Sequence, residues 1–85
     1  MKKVILRSFE RDFQELPKEL QRQTLKKLAY LKSDRSHPSL RTKKIKGYER
    51  IWEGSITMSY RFTYCVEGDT VYLRRVGTHA VFESP

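Results

Sequence analysis

A single cysteine, Cys65, among 85 residues leaves no partner for an internal disulfide and excludes any four-cysteine zinc site. Nothing in the cysteine usage implies an oxidising compartment, so the cytoplasm is the expected location. Long hydrophobic runs are missing as well. No apolar stretch approaches the ~20 residues of a membrane span, and Val4-Ile5-Leu6 is too short for the core of a signal peptide. A soluble chain with no membrane partner is expected. Acidic residues are scarce in one region only: residues 20–46 hold nine basic side chains against Asp34 alone, whereas residues 1–19 hold five basic and four acidic ones and residues 47–85 hold four and five. The whole net charge of +8 therefore arises in the middle of the chain. Such a field attracts a polyanion, whether nucleic acid, an acidic protein or a lipid surface. A solvated helix face followed by a basic loop gives the same pattern.

What is present suffices for one domain, residues 1–85, with one small core. A hydrophobic fraction of 38% with 12% aromatics exceeds what a disordered chain carries. Val4-Ile5-Leu6 predicts a short buried strand, with Ser8 as the N-cap of a helix whose Phe9, Phe13 and Leu16 share one face. Pro17 suits the first turn of a second helix, in which Leu20, Thr24, Leu25, Leu28 and Leu31 recur at helical spacing. From Ser33 to Lys46 the period is lost and a basic loop is expected, with a turn at Ser36-His37-Pro38-Ser39. Residues Glu49 to Glu53 predict a strand and Gly54-Ser55 a turn. Strict alternation of Ile56, Met58, Tyr60, Phe62 and Tyr64 with polar residues then predicts a half-buried strand. Glu67-Gly68-Asp69 turns the chain into a last strand, Thr70 to Val76.

This order, β-α-α-β-β-β, predicts an α+β fold: a small, mostly antiparallel sheet with a helical hairpin on one face and the other face open. Parity places Arg61 on that open face, and the last strand must carry Arg74 or Arg75 to it. Arg75 shares parity with Gly77 and His79 and is the expected residue, although Val71 and Leu73 share that parity too. Gly77-Thr78-His79 then delivers an imidazole beside arginines and Phe82, a grouping suited to chemistry on a phosphate. A lone surface histidine is the plainer reading of His79, as a structural turn residue is of His37. Trp52, Met58 and most of the tyrosines are expected in the core, leaving Tyr48 and Tyr60 as the ones to contact a ligand.

Those residues carry a family resemblance. The segment His37-Pro38-Ser39-Leu40, the step Lys46-Gly47-Tyr48, the pair Tyr60-Arg61 and Gly77-Thr78-His79 with Phe82, in that order, resemble the RelE/ParE toxin superfamily. The YafQ-like branch of bacterial type II toxin-antitoxin systems is nearest. The resemblance implies a RelE-like fold and an endoribonuclease that cuts messenger RNA, usually on the ribosome, without a metal or other cofactor. A cognate antitoxin would hold it inactive, laying an acidic segment over the cations. The ribose 2′-OH attacks the adjacent phosphate in such enzymes. The resemblance implies His79 as acid or base and Arg61 and Arg75 as phosphate stabilisers. It implies substrate contacts by Lys43, Lys44, Lys46, Tyr60, Phe82 and His37. The chain departs from the YafQ pattern around the second strand, where Trp52 and Ile56 stand in place of a histidine and an aspartate; Glu53 is the carboxylate at hand. Ala80 follows the terminal histidine, where a polar or acidic residue is common. Two other readings share the fold: a ParE-like inhibitor of a topoisomerase, and an inactive member that binds RNA or antitoxin.

Overall fold

A computed structural model describes residues 2–85. The elements are β1 (Lys2–Ile5), α1 (Arg7–Gln14), α2 (Lys18–Ser33), β2 (Lys43–Lys44), β3 (Trp52–Ser55), β4 (Arg61–Glu67) and β5 (Thr70–Gly77), with 3-10 turns at Pro38–Leu40 and His79–Glu83. The five strands form one sheet in the order β1-β5-β4-β3-β2, antiparallel except for β1, which runs parallel to β5. The expected α+β architecture is present, with one strand more than the sequence predicts.

Both helices form where the apolar period places them, except that Leu16 falls beyond the end of α1 and Leu25 of α2 is exposed rather than on the core face. Phe9 of α1 and Leu28 and Leu31 of α2 are buried against Phe62, Tyr64, Val71, Leu73 and Val76 of the sheet. At ~25 cal/mol per Å² of apolar surface, this one cluster supplies the main driving force for folding a chain so small. Thr24, wholly buried, satisfies its hydroxyl on the Leu20 carbonyl at 2.7 Å, which lets a polar residue occupy the core face of α2. The Ser8 hydroxyl does not cap α1, whose N-cap is Leu6; it donates instead to the Arg74 carbonyl at 2.6 Å.

Several elements differ from the sequence prediction. The first strand is exposed along its length, because β1 lies at a sheet edge and Val4 and Ile5 meet solvent. Lys43–Lys44, expected in a loop, pairs with Trp52 and Glu53 as a short edge strand. Gly54-Ser55 is no turn but the second half of β3. The turn comes later, at residues 56–60, where the Thr57 hydroxyl accepts from the backbone N–H groups of Ser59 and Tyr60 at 3.2 Å each. Strand β4 therefore starts at Arg61, and Met58, expected in the core, is 87% exposed.

Tyr64 carries a consequence for alkaline stability. Burial pushes its phenol above the ordinary value of 10.0, against the pull of the Thr42 side chain and of the Arg35 charge. The unfolded chain releases this proton first, so stability is complete below pH ~10 and falls as pH rises through the folded value. In an alkaline absorbance titration, one of the five tyrosines should ionise late and together with unfolding. Five tyrosines titrating alike in the folded protein would remove this account.

Candidate active site

Register assembles a polar surface on the sheet face away from the helices. Lys43 pairs with Glu53, Glu53 with Thr63 and Thr63 with Arg75, so these four residues form one row across β2, β3, β4 and β5. The next row is Ser55, Arg61 and Gly77. Arg61 and Arg75 thus share the outer face, as parity predicts. Val71 and Leu73 are nevertheless buried on the helix side. A β-bulge resolves this: Thr63 faces Arg75 while Tyr64 faces Leu73, which leaves Arg74 as the extra residue and reverses the alternation beyond it.

The two arginines are held differently, Arg61 by neutral oxygens with a carboxylate nearby and Arg75 by a carboxylate directly. Arg61 donates from Nη1 to Ser55 Oγ at 3.1 Å, to the Tyr60 carbonyl at 3.4 Å and to the Thr57 carbonyl, and its Nε lies 3.9 Å from Glu53 Oε1. Its side chain is 20% exposed and that of Glu53 12% exposed, so the pair is largely screened from water. Arg75 forms a two-pronged pair with Asp12 of α1, Nε to Oδ2 at 2.6 Å and Nη2 to Oδ1 at 3.2 Å. The hydrogen bond to Asp12 holds the Arg75 guanidinium above its already high ordinary range.

Asp12 does more than neutralise Arg75. Its Oδ2 also accepts the Val76 backbone N–H at 3.1 Å. Strand β1 ends at Ile5, opposite Leu73, so among the described residues the edge of β5 beyond that point has no strand partner; Ser8 and Asp12 of α1 take over its backbone groups. Periodicity carries no sign of Asp12, because its partners lie 63 and 64 residues away in sequence. Asp12→Ala should lower stability by about 2–3 kcal/mol, read as a reduced urea midpoint, because it strips a charge-assisted acceptor from two donors. Asp12→Asn, which keeps one acceptor oxygen, should cost less. Equal losses for the two variants would exclude this role.

The outer face is not open, as the sequence predicts, but is partly covered by the residues after β5. The Thr63 hydroxyl and Arg74 Nε both donate to the Pro85 carbonyl oxygen, at 3.1 and 3.0 Å, and Arg75 Nη1 donates to the Ser84 carbonyl at 3.1 Å. His79 opens the 3-10 turn that leads into this segment, is exposed, and meets the Phe82 ring edge-on at 5.3 Å between centroids. It follows by two residues the Gly77 that pairs with Arg61, so the chain leaves the sheet for this turn from the end of the Arg61 row. A groove of about 250 Å³ beside it is lined by Asp12, Glu15, Tyr60, Arg75 and Thr78, among others.

The remaining predicted residues fall elsewhere. Lys43 joins the outer row, whereas Lys44 is the partner of Trp52 and holds its ammonium 5.6 Å from the indole centroid. Lys46 stands in the loop that closes β2 on β3, next to Gly47, whose φ of +90° the turn requires. His37 is built into the loop after α2. Its ring stacks on Tyr30 at 4.2 Å, its Nδ1 accepts the Ser39 backbone N–H at 3.2 Å, and it caps the Pro38–Leu40 turn. Among the described residues, no group of three or more His, Cys, Asp or Glu side chains is arranged to hold a metal ion.

No protein-family model and no curated protein matches the sequence. Solved structures match the fold. The YoeB/ParE toxin from Agrobacterium tumefaciens superposes with a TM-score of 0.80 at 21% identity, over 93% of this chain and 99% of that one. The RelB-RelE antitoxin-toxin complex from Methanococcus jannaschii gives 0.77 at 23% identity, over 94% of each chain. The E. coli DinJ-YafQ toxin-antitoxin complex gives 0.74 at 16% identity, over 94% and 93%. The chain has the fold of the RelE/ParE toxins, as the resemblance in sequence implies.

Proposed function

We propose that this chain, built on the RelE/ParE fold, is the toxin of a toxin-antitoxin pair and an endoribonuclease acting on messenger RNA. The observation that carries the proposal is the grouping of Glu53, Arg61 and Arg75 on one sheet face with His79 and Phe82 in the turn that leaves it. In the reaction, the 2′-oxygen of a ribose bonds to the neighbouring phosphorus, and the bond from phosphorus to the 5′-oxygen breaks. A base takes the 2′ proton and an acid supplies one to the leaving 5′-oxygen. The products are a 2′,3′-cyclic phosphate and a 5′-hydroxyl. His79, exposed and free to approach a substrate, serves as the proton donor or acceptor. Arg61 offsets the charge building on the phosphate oxygens, and its hydrogen bonds to Ser55 and to the Thr57 and Tyr60 carbonyls keep its guanidinium in place. Phe82 offers a face for a base, while Lys43, Lys44 and Lys46 attract the RNA backbone or that of the ribosome.

Two of the structures with this fold are complexes with antitoxins. A cognate antitoxin is proposed here too, and the net charge of +8 makes an acidic segment its natural contact. A second reading, binding without chemistry, draws on the pairing of both arginines with carboxylates. The experiment that tests the first is incubation of purified protein with messenger RNA in a translating extract containing a metal chelator at a level translation tolerates. Discrete cuts ending in 2′,3′-cyclic phosphate are expected. Intact messenger RNA alongside inhibited DNA supercoiling would replace the proposal with a topoisomerase inhibitor, and growth-neutral expression with intact partner binding would leave only the binding role.

A further inference from the structure

One concavity on the helix side of the sheet plays no part in the outer-face chemistry. Trp52 and Tyr64 are register partners on β3 and β4, and with Arg35, Ser36 and Thr42 they line a pocket of about 120 Å³. The Tyr64 side chain belongs to the core, yet its hydroxyl faces Thr42 with the Arg35 charge close enough to act on it. Lys44 stands over the Trp52 ring. The described residues lining the pocket thus offer a guanidinium, three hydroxyls and two aromatic rings, and none is a carboxylate.

That composition selects a ligand. Hydroxyls around one cation, with no carboxylate in the lining itself and Asp34 occupied beside it by the Ser36 N–H at 2.9 Å, fit a group rich in acceptor oxygens. An aromatic wall fits a planar ring. The volume admits a phosphate but lies below the ~300 Å³ at which drug-sized sites begin. A larger ligand must therefore leave its remainder outside, across the half-buried Trp52.

We propose that this pocket is a nucleotide site, in which Arg35 and the Ser36, Thr42 and Tyr64 hydroxyls hold a phosphate and the attached base lies against Trp52. The proposal stands on this pocket alone and does not depend on catalysis at the outer face. Lys44 adds a second cation at the rim. The site would bind one nucleotide of a longer strand, or a free one, by the same contacts.

The chain contains one tryptophan, so a single indole N–H resonance reports on the site. The full chain is titrated with adenosine 5′-monophosphate, ribose 5-phosphate and inorganic phosphate while this resonance is followed in ¹H–¹⁵N spectra. A saturating shift is expected with the nucleotide, with affinity at least tenfold weaker for the two ligands that lack a base. Arg35→Ala, at an exposed position, and Thr42→Val should each weaken nucleotide binding at least tenfold while the remaining spectrum stays folded. His79→Ala should leave it unchanged. A shift that never saturates, equal affinity for inorganic phosphate, or unchanged binding in Arg35→Ala would overturn the assignment. Loss of binding in His79→Ala would move the ligand to the outer face and overturn it as well.

Discussion

Gly54→Ala is expected to lower the melting temperature by on the order of 10 °C, a large loss for the addition of one methyl group. A Cβ built on Gly54 lies 2.3 Å from Cζ and 2.4 Å from Cε1 of Phe62, far inside van der Waals contact. Phe62 has no room to withdraw. It is the register partner of Gly54, its side chain is wholly buried, and its ring lies 5.7 Å from that of Tyr64. Overpacking of this kind costs about 1–3 kcal/mol, against a total stability of roughly 4–13 kcal/mol for a chain of this size. Each kcal/mol lost moves the midpoint by about 4–8 °C in a small domain. Thermal unfolding by circular dichroism measures the drop, and a second variant tests its cause. Gly54→Ala combined with Phe62→Leu should be more stable than the sum of the two single losses predicts, because the smaller side chain vacates the space the methyl needs. Additive losses, or an unchanged midpoint for Gly54→Ala, would show that the contact with Phe62 is not what keeps this position glycine.

Gly54 also marks where sequence reasoning runs out. Glycine followed by serine signals a turn, and the residues after it alternate cleanly; a strand starting at Ile56 is the natural inference. In the structure the glycine is needed inside a strand, to admit a large ring from the neighbouring one, and no local pattern distinguishes the two uses. The alternation through Met58 is coincidental. Ile56 is buried from a loop, and the Thr57 hydroxyl closes the turn that separates it from β4. The helices were legible because each carries its own apolar period. The arginine face was legible because parity is a local property, and only the bulge at Arg74 upset it on β5. Asp12 and the covering of the outer face by Ser84 and Pro85 were not legible. Both join residues distant in sequence through single polar contacts, which leave no periodic trace.

The outer face supports a sharper separation, because His79 and Arg61 are bound into the fold to different degrees. His79 is exposed, and Phe82 is its ring contact. Under the proposed reaction, His79→Ala should reduce messenger RNA cleavage by about 10²–10⁴-fold, the usual contribution of a general acid or base, with no change in melting temperature. Arg61→Ala should lose both activity and stability. Removing a positioned charge from the transition state costs about 10²–10³-fold in rate. It also leaves the Glu53 carboxylate, 12% exposed, without its cation, and an unpaired carboxylate so little exposed destabilises by about 1–3 kcal/mol. The double variant Arg61→Ala with Glu53→Gln divides the two effects, since a neutral amide has no charge to strand. Its stability should recover the part of the loss that comes from the stranded charge, but not the part from the lost hydrogen bonds to Ser55, Thr57 and Tyr60, while its cleavage remains as low as that of Arg61→Ala. Rates are measured by primer extension on messenger RNA in a translating extract, and stabilities by urea unfolding of the same preparations. Recovery of cleavage in the double variant would mean that Arg61 serves only to neutralise Glu53, and would remove it from contact with the phosphate. Unchanged cleavage in His79→Ala would take proton transfer away from the imidazole and point to Glu53, the carboxylate paired with Arg61, to supply it.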